Sequence, residues 1–377
     1  MWQLRMGLRH SMLVCLLFPW VCLLSGQSIS GVITDKSTRQ AVEYANVYIQ
    51  GSTSGSVSNK DGYFEFESDL TYGQLIISHV SYETSVIELD TVQKSELLIA
   101  LDPRIYDFTP VSIQSKDQRV ANLKHFREEL LGSDYWGKHA TIENDSVLVF
   151  SVEYYADTIT KRNLRGLIKI FEAKASSPLI ISLPKLGYTL QYDLVSYIET
   201  DDPDLGMVTS SSGYYYFTPV KEASARKQRN IKKNRIRAYY YSPQHFIRSL
   251  YNNSLRENGY LLLNEEKGTK LNQTNYKYFY PDKCNCIVYR DEEAVISGMK
   301  NQHLTIRYYG YDNSPVNLKK YGNYPFVKYS QIYFLEEECI FRKDGSISSK
   351  SIVFGPGMNR KRIGASLPND YEPPISF

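Results

Sequence analysis

The chain is poor in the residues that most often carry chemistry. Six histidines and five cysteines are spread over 377 residues. Five histidines lie beyond residue 26: His79, His125, His139, His245 and His303. None has a second His three or four residues away, and the His-Glu-x-x-His pattern that sets two such ligands on one helix face is absent. A metallohydrolase holds its metal with such ligands and leaves a position open for water, so that reading lacks its signature. No Gly-x-Ser-x-Gly nucleophile turn occurs, nor a Gly-rich loop ending in Lys-Ser or Lys-Thr that would cradle phosphate. Charge of one sign is missing as well. The 44 basic and 41 acidic side chains leave a formal +3, which gives no overall drive toward nucleic acid. Beyond residue 26 no apolar run approaches the roughly 20 residues of a membrane-spanning helix.

Residues 1–26 differ from the rest. Arg5 and Arg9 open the segment, Ser11 to Leu24 is almost wholly apolar, and the small Ser25 and Gly26 precede Gln27. That order is the order of a secretory signal peptide, and its apolar stretch is too short to span a membrane. The expectation is an exported protein, periplasmic or associated with the outer membrane. Neither Cys15 nor Cys22 follows the small residues that precede a lipid-modified cysteine.

Three cysteines remain beyond that segment: Cys284, Cys286 and Cys339. In an oxidising compartment Cys339 is the expected partner of either Cys284 or Cys286. A structural zinc would need four ligands, and no second cysteine pair supplies them. No metal and no cofactor is expected.

Residues 28–115 read as short strands broken by turns. Ser30 to Asp35, Ala45 to Ile49, Tyr63 to Glu67, Gln74 to Val80, Ser85 to Leu89, Leu97 to Leu101 and Pro110 to Gln114 are strand candidates, and Val57 opens another. Ala45 to Ile49 alternates with the period of a half-buried strand. Lys60-Asp61-Gly62 has the composition of a hairpin turn. So many strands in so short a stretch point to a β-sandwich. The series Gly31-x-Ile33-x-Asp35, Ala45-Asn46-Val47-Tyr48-Ile49, Gly51-Ser52-Thr53-x-Gly55-Ser56 and Asp61-Gly62-Tyr63-Phe64 resembles the carboxypeptidase-regulatory-like domain. A proline usual in that family near Val42 or Glu43 is absent. The resemblance implies a transthyretin-type sandwich and a non-catalytic scaffold or docking role.

A helix is expected after Ser115, where Ser115-x-x-Gln118 fits a capping box. Val120, Leu123, Phe126, Leu130 and Leu131 recur at helical spacing, and Gly132 stands where a C-terminal cap would. Ser146 to Tyr154, Leu164 to Phe171, Tyr188 to Ile198 and Tyr214 to Phe217 read as strands. The second main helix is expected over Pro243 to Asn258, with Ser242 as its cap and Pro243 at the first position. Phe246, Ile247, Leu250, Tyr251 and Leu255 form its apolar face, and Arg248 is expected at the edge of that face or in solvent. Leu186-Gly187-Tyr188, Ser242-x-x-His245-Phe246-Ile247-Arg248 and Leu367-Pro368-x-Asp370-Tyr371-x-Pro373 resemble the companion region of envelope proteins that begin with this sandwich, in Gram-negative bacteria that feed on polysaccharides. The likeness implies a location and a fold, and no activity. The expected architecture is mainly β: the sandwich over 28–115, then a strand-rich α+β domain with two main helices over 116–377.

Three patterns are candidates for binding. Lys221 to Arg237 holds eight basic residues and one acidic residue. Lys232, Lys233, Arg235 and Arg237, joined by Arg248, are candidates for binding an anion or partner, against the plainer reading of a solvent-exposed loop. Tyrosine is abundant, with 26 of 32 beyond residue 116. Tyr276, Tyr278 and Tyr280 alternate and so share one strand face, suited to stacking on a glycan or to burial in a sheet. Glu199 to Asp204 is acidic but lacks the order of a calcium loop and reads as a solvated turn. The expected function is a non-catalytic binding or assembly module of the envelope, linked to polysaccharide use, with an envelope protein or glycan as partner. The alternatives are a carbohydrate-binding protein using the Tyr-rich surfaces, and a hydrolase whose site is assembled in space after residue 116.

Overall fold

The computed structural model describes residues 27–70, 72–89, 96–104, 115–155, 167–202, 206–221, 224–267, 274–310, 328–348 and 351–374. The expected signal segment and the strand at 110–114 lie outside them. The rest is built on three hydrophobic cores.

The first core belongs to a sandwich of seven strands: β1 (Gln27–Asp35), β2 (Asn46–Ile49), β3 (Gly55–Val57), β4 (Tyr63–Ser68), β5 (Gln74–Ser78), β6 (Ser85–Glu88) and β7 (Leu97–Leu101). One sheet runs β4-β1-β7 and the other β3-β2-β5-β6. Ile33, Val47, Phe64, Leu75 and Ile77 fill the space between them. Each such side chain contributes roughly 1.5–3 kcal/mol by leaving water. Val57 closes β3 instead of opening a strand. The Lys60-Asp61-Gly62 turn is not a hairpin either. It carries the chain from one sheet to the other, since β3 pairs with β2 while β4 pairs with β1. Gly62 takes φ +74°, and a Cβ there would meet the Ile33 carbonyl oxygen at 2.3 Å.

The second core is a six-stranded antiparallel sheet under a helix. Helix α1 (Lys116–Leu131) is capped by Ser115, whose Oγ accepts from the Gln118 N–H at 3.2 Å. The Gln118 side chain donates to Asn122 instead of closing the box. Phe126, Leu130 and Leu131 are buried, whereas Val120 is 60% exposed. The strands are β8 (Thr141–Ile142), β9 (Leu148–Tyr155), β10 (Ile168–Ala175), β11 (Leu179–Leu183), β12 (Tyr188–Asp202) and β13 (Gly206–Pro219), in the order β8-β11-β12-β10-β9 with β13 on β12. The register of β12 against β13 shifts between Leu194 and Ser196. The shift exchanges the two faces: Leu190, Tyr192 and Leu194 point into the core before it, Tyr197 and Glu199 after it. Glu199 is therefore no part of a solvated turn. It is 3% exposed, with both carboxylate oxygens 2.9 Å from His125 Nε2 on α1.

Two helices lead to the third core. The basic run is not a loop: helix α2 (Ala225–Tyr239) occupies it, giving three helices among the described residues where two main ones were expected. Arg, Lys and Gln are good helix formers, and Ile231, Arg235, Ala238 and Tyr239 recur on one face. Helix α3 (Pro243–Tyr251) follows, with Ser242 Oγ accepting from the His245 N–H. It ends seven residues before the expected Asn258. Asn252 leaves helical geometry and Asn253 takes φ +50°. Phe246, Ile247, Leu250 and Leu255 are buried. They pack with a five-stranded sheet and a three-stranded sheet. The strands are β14 (Tyr260–Lys267), β15 (Thr274–Phe279), β16 (Ile287–Tyr289), β17 (Glu293–Ser297), β18 (His303–Tyr308), β19 (Lys328–Phe334), β20 (Glu338–Arg342) and β21 (Ile352–Phe354). The sheets run β15-β14-β18-β19-β21 and β16-β17-β20.

The sandwich is joined to the second core through main-chain bonds. Gly51 N–H donates to the Tyr215 carbonyl at 2.7 Å, and Phe217 N–H to the Ser52 carbonyl at 2.8 Å. The outer face of β2 is covered too: Tyr48, 1% exposed, lies with its ring 4.6 Å from that of Tyr216. Asp193 of β12 accepts from Thr84 Oγ1 at 2.9 Å.

Candidate binding surfaces

Arg248 is not at a solvent edge. It is 7% exposed and points from α3 into the carboxy-terminal segment. Its Nε donates to the Asp344 carbonyl at 2.9 Å, and its terminal nitrogens to the carbonyls of Asn369 at 2.7 Å and Tyr371 at 2.9 Å. Those acceptors are main-chain carbonyls, and a guanidinium so engaged has few donors left for an outside anion. The remaining basic candidates divide along α2. Arg235 donates to the carbonyls of Leu186 and Gly187 and stacks 4.0 Å over the Tyr188 ring, clamping the helix to the turn between β11 and β12. Lys232 is exposed and, with Arg235, lines a hollow that also holds Asp370 and Glu372. Lys233 and Arg237 face a different groove, of about 590 Å³, between α2 and the β11–β12 turn.

The tyrosines form the outer face of the five-stranded sheet. Leu304, Ile306 and Tyr308 of β18 point into the core, so His303, Thr305 and Arg307 point out. The register carries that face across the sheet: Arg307 is opposite Tyr329, and Tyr276 and Tyr278 of the edge strand lie opposite Glu265 and Leu263. Tyr276 and Tyr278 are each 48% exposed and Tyr329 is 56% exposed. Arg307 lies between them, its guanidinium 5.0 Å from the Tyr276 ring and 5.6 Å from the Tyr329 ring. Its Nε is buried and has no hydrogen-bond partner among the described residues. Glu265 accepts from Thr305 Oγ1 at 2.5 Å, and this bond, with His303 beside it, holds its carboxyl below the usual range. An ionised carboxylate of that kind accepts hydrogen bonds and does not serve as a general acid. Tyr280 turns aside to a cleft of about 250 Å³, between the charges of Arg256 and Lys283, each 4.9 Å from its ring. Arg307 and Tyr329 were not legible as site residues, because only the strand register sets them beside Tyr276.

The cysteines pair otherwise than expected. Cys284 and Cys286 are bonded to each other, with α-carbons 5.1 Å apart. Cys339 is free and 1% exposed. It sits on β20 with its side chain in the third core, its thiol 3.2 Å from the Ser351 carbonyl. Among the described residues no group of three or more His, Cys, Asp and Glu side chains is placed to hold a metal ion. No described helix is long and apolar enough to cross a membrane.

Comparison with known proteins bears on the first unit. Residues 29–109 match the CarboxypepD_reg-like domain. No curated protein matches the chain. A solved structure of a protein of unknown function from Bacteroides fragilis NCTC 9343, whose membrane association is itself only proposed, is similar at 13% identity. The likeness covers 51% of this chain and 97% of that one, with a TM-score of 0.16. The family match thus covers residues 29–109, the stretch that holds the seven-stranded sandwich.

Proposed function

We propose that the protein is a non-catalytic binding or assembly module of the bacterial cell envelope that engages its partner through the outer face of the five-stranded sheet. The observation that carries this reading is the row Tyr276, Tyr278, Arg307 and Tyr329: exposed aromatic rings held in register by a sheet, with one guanidinium between two of them. Tyr on a rigid support provides contact area at low entropic cost, and Tyr and Arg are both enriched in binding hot spots. The export signal read in residues 1–26 supports a place outside the cytoplasm, and a Cys284–Cys286 disulfide suits an oxidising compartment. A glycan is the favoured partner, since tyrosines two apart on one strand present successive faces to a chain of sugar rings. The test is a glycan array and crosslinking in envelope fractions, run with the wild-type protein and with Tyr276→Ala/Tyr278→Ala. Capture of a glycan or envelope component that the double variant loses at unchanged melting temperature is the expected result. Equal capture by both proteins would remove this face from the proposal.

A further inference from the structure

The groove beside α2 has a different chemistry from the tyrosine face. Lys185, Lys233 and Arg237 line it, and among the described residues no carboxylate does. None of these three cations forms an ion pair among the described residues. Its wall is the Tyr135 ring, 46% exposed, with Lys185 Nζ 5.8 Å and the Arg237 guanidinium 6.0 Å from the ring centroid. His139 stands beside it, ring to ring at 4.8 Å, and its Nδ1–H donates to the Tyr135 carbonyl at 2.7 Å, which leaves Nε2 for a ligand. The floor is apolar at Ile231, packed on the bare α-carbon of Gly187, where a Cβ would approach Ile231 to 2.8 Å.

These groups are fixed before any ligand arrives. Asn234 Nδ2 donates to the Lys185 carbonyl at 3.1 Å and Arg235 Nε to the Leu186 carbonyl at 2.7 Å, so one face of α2 is bonded to the turn that carries Lys185. Cations converging without acid partners repel one another, and an anion relieves that repulsion. A volume of about 590 Å³ falls within the usual range for a small-molecule site. An aromatic wall and an apolar floor suit a body larger than a bare ion.

We propose that this groove binds a phosphate ester on a sugar-sized body, with Lys185, Lys233 and Arg237 on the phosphate and Tyr135 against the body. The same chemistry is offered by a soluble sugar phosphate and by a phospholipid headgroup. Calorimetric titration of the full chain with glucose 6-phosphate, glucose and inorganic phosphate, and flotation with phosphatidylglycerol or phosphatidylcholine vesicles, separates the sources. Glucose should not bind. Lys233→Ala/Arg237→Ala should weaken binding at least about ten-fold, while Arg229→Ala, which removes a charge from the same helix outside the groove, should change it less than about two-fold. Tyr135→Ala should weaken glucose 6-phosphate and leave inorganic phosphate unchanged. Melting temperatures identify a variant that fails to fold, and Lys233→Ala alone then carries the comparison. Flotation with phosphatidylglycerol that the double variant loses assigns the headgroup as the source; binding of glucose 6-phosphate without flotation assigns the soluble ester. The proposal is overturned if neither glucose 6-phosphate, at up to about 10 mM, nor phosphatidylglycerol binds. It is equally overturned if Arg229→Ala weakens binding as much as the double variant.

Discussion

Arg248 and His245 sit three residues apart on α3, and both are buried. By helical spacing Arg248 belongs at the edge of the apolar face. The carboxy-terminal segment covers that edge and supplies carbonyls in place of water. Truncating Arg248 to Ala would strand those carbonyls, so urea unfolding should show a loss of about 2–5 kcal/mol, far beyond a surface change. A loss under about 0.5 kcal/mol would refute the buried role. His245 has Tyr241 N–H and Tyr260 O–H directed at Nδ1, at 3.4 and 2.8 Å. A backbone N–H can only donate, so Nδ1 must accept and the ring must be neutral. Burial, then the Lys361 charge, pushes its pKa down to about 3. The unfolded chain binds this proton near pH 6.5, so stability from His245 is complete above that pH and is lost as pH falls toward 3. Between pH 6.5 and 5, where carboxylates stay ionised, the loss should be about 2 kcal/mol. Melting temperature followed over that window should fall in the wild type and flatten in His245→Gln. A wild-type profile already flat there would mean that His245 accepts a proton in the fold.

At the scale of elements, α3 reads well from sequence because its signals are local: a serine cap, a proline at the first position, and apolar residues at helical spacing. Leu250 is 3% exposed in the third core. Leu250→Ala should cost about 2–5 kcal/mol in urea unfolding, because a cavity remains. A variant as stable as wild type would remove α3 from the core. The basic helix α2 was equally local, yet its charge density drew the reading toward a loop, while Ile231, Arg235 and Ala238 already marked a helical stripe. Its packing was not local. Gly187 at φ +65° and the carbonyls of Leu186 and Gly187 come from a turn 48 and 49 residues before the Arg235 that binds them. The register shift in β12 was illegible for a like reason: an extra residue is visible only against the partner strand.

At the scale of the whole molecule, the carboxy-terminal segment ties the units together. Asn369 N–H donates to the Gly51 carbonyl at 2.7 Å, and the Asp370 carboxylate accepts from Thr53 N–H at 3.0 Å, while the carbonyls of Asn369 and Tyr371 hold Arg248. Asp370→Ala should therefore expose the Thr53 amide to faster hydrogen exchange and lower stability by about 1 kcal/mol, leaving exchange in β1 and β5 unchanged. Exchange at Thr53 that stays as slow as in wild type would show that the tail does not secure the sandwich. Sequence by itself determined the sandwich, the caps of α1 and α3 and the apolar faces behind them, because alternation, turn residues and caps act between residues close along the chain. Tertiary structure decided the rest. It buried Arg248, kept Cys339 from its expected partners, divided the basic run between two sides of α2, and set Arg307 between Tyr276 and Tyr329. Each of these depends on what a distant segment brings within reach of a side chain, and local periodicity holds no record of that neighbour.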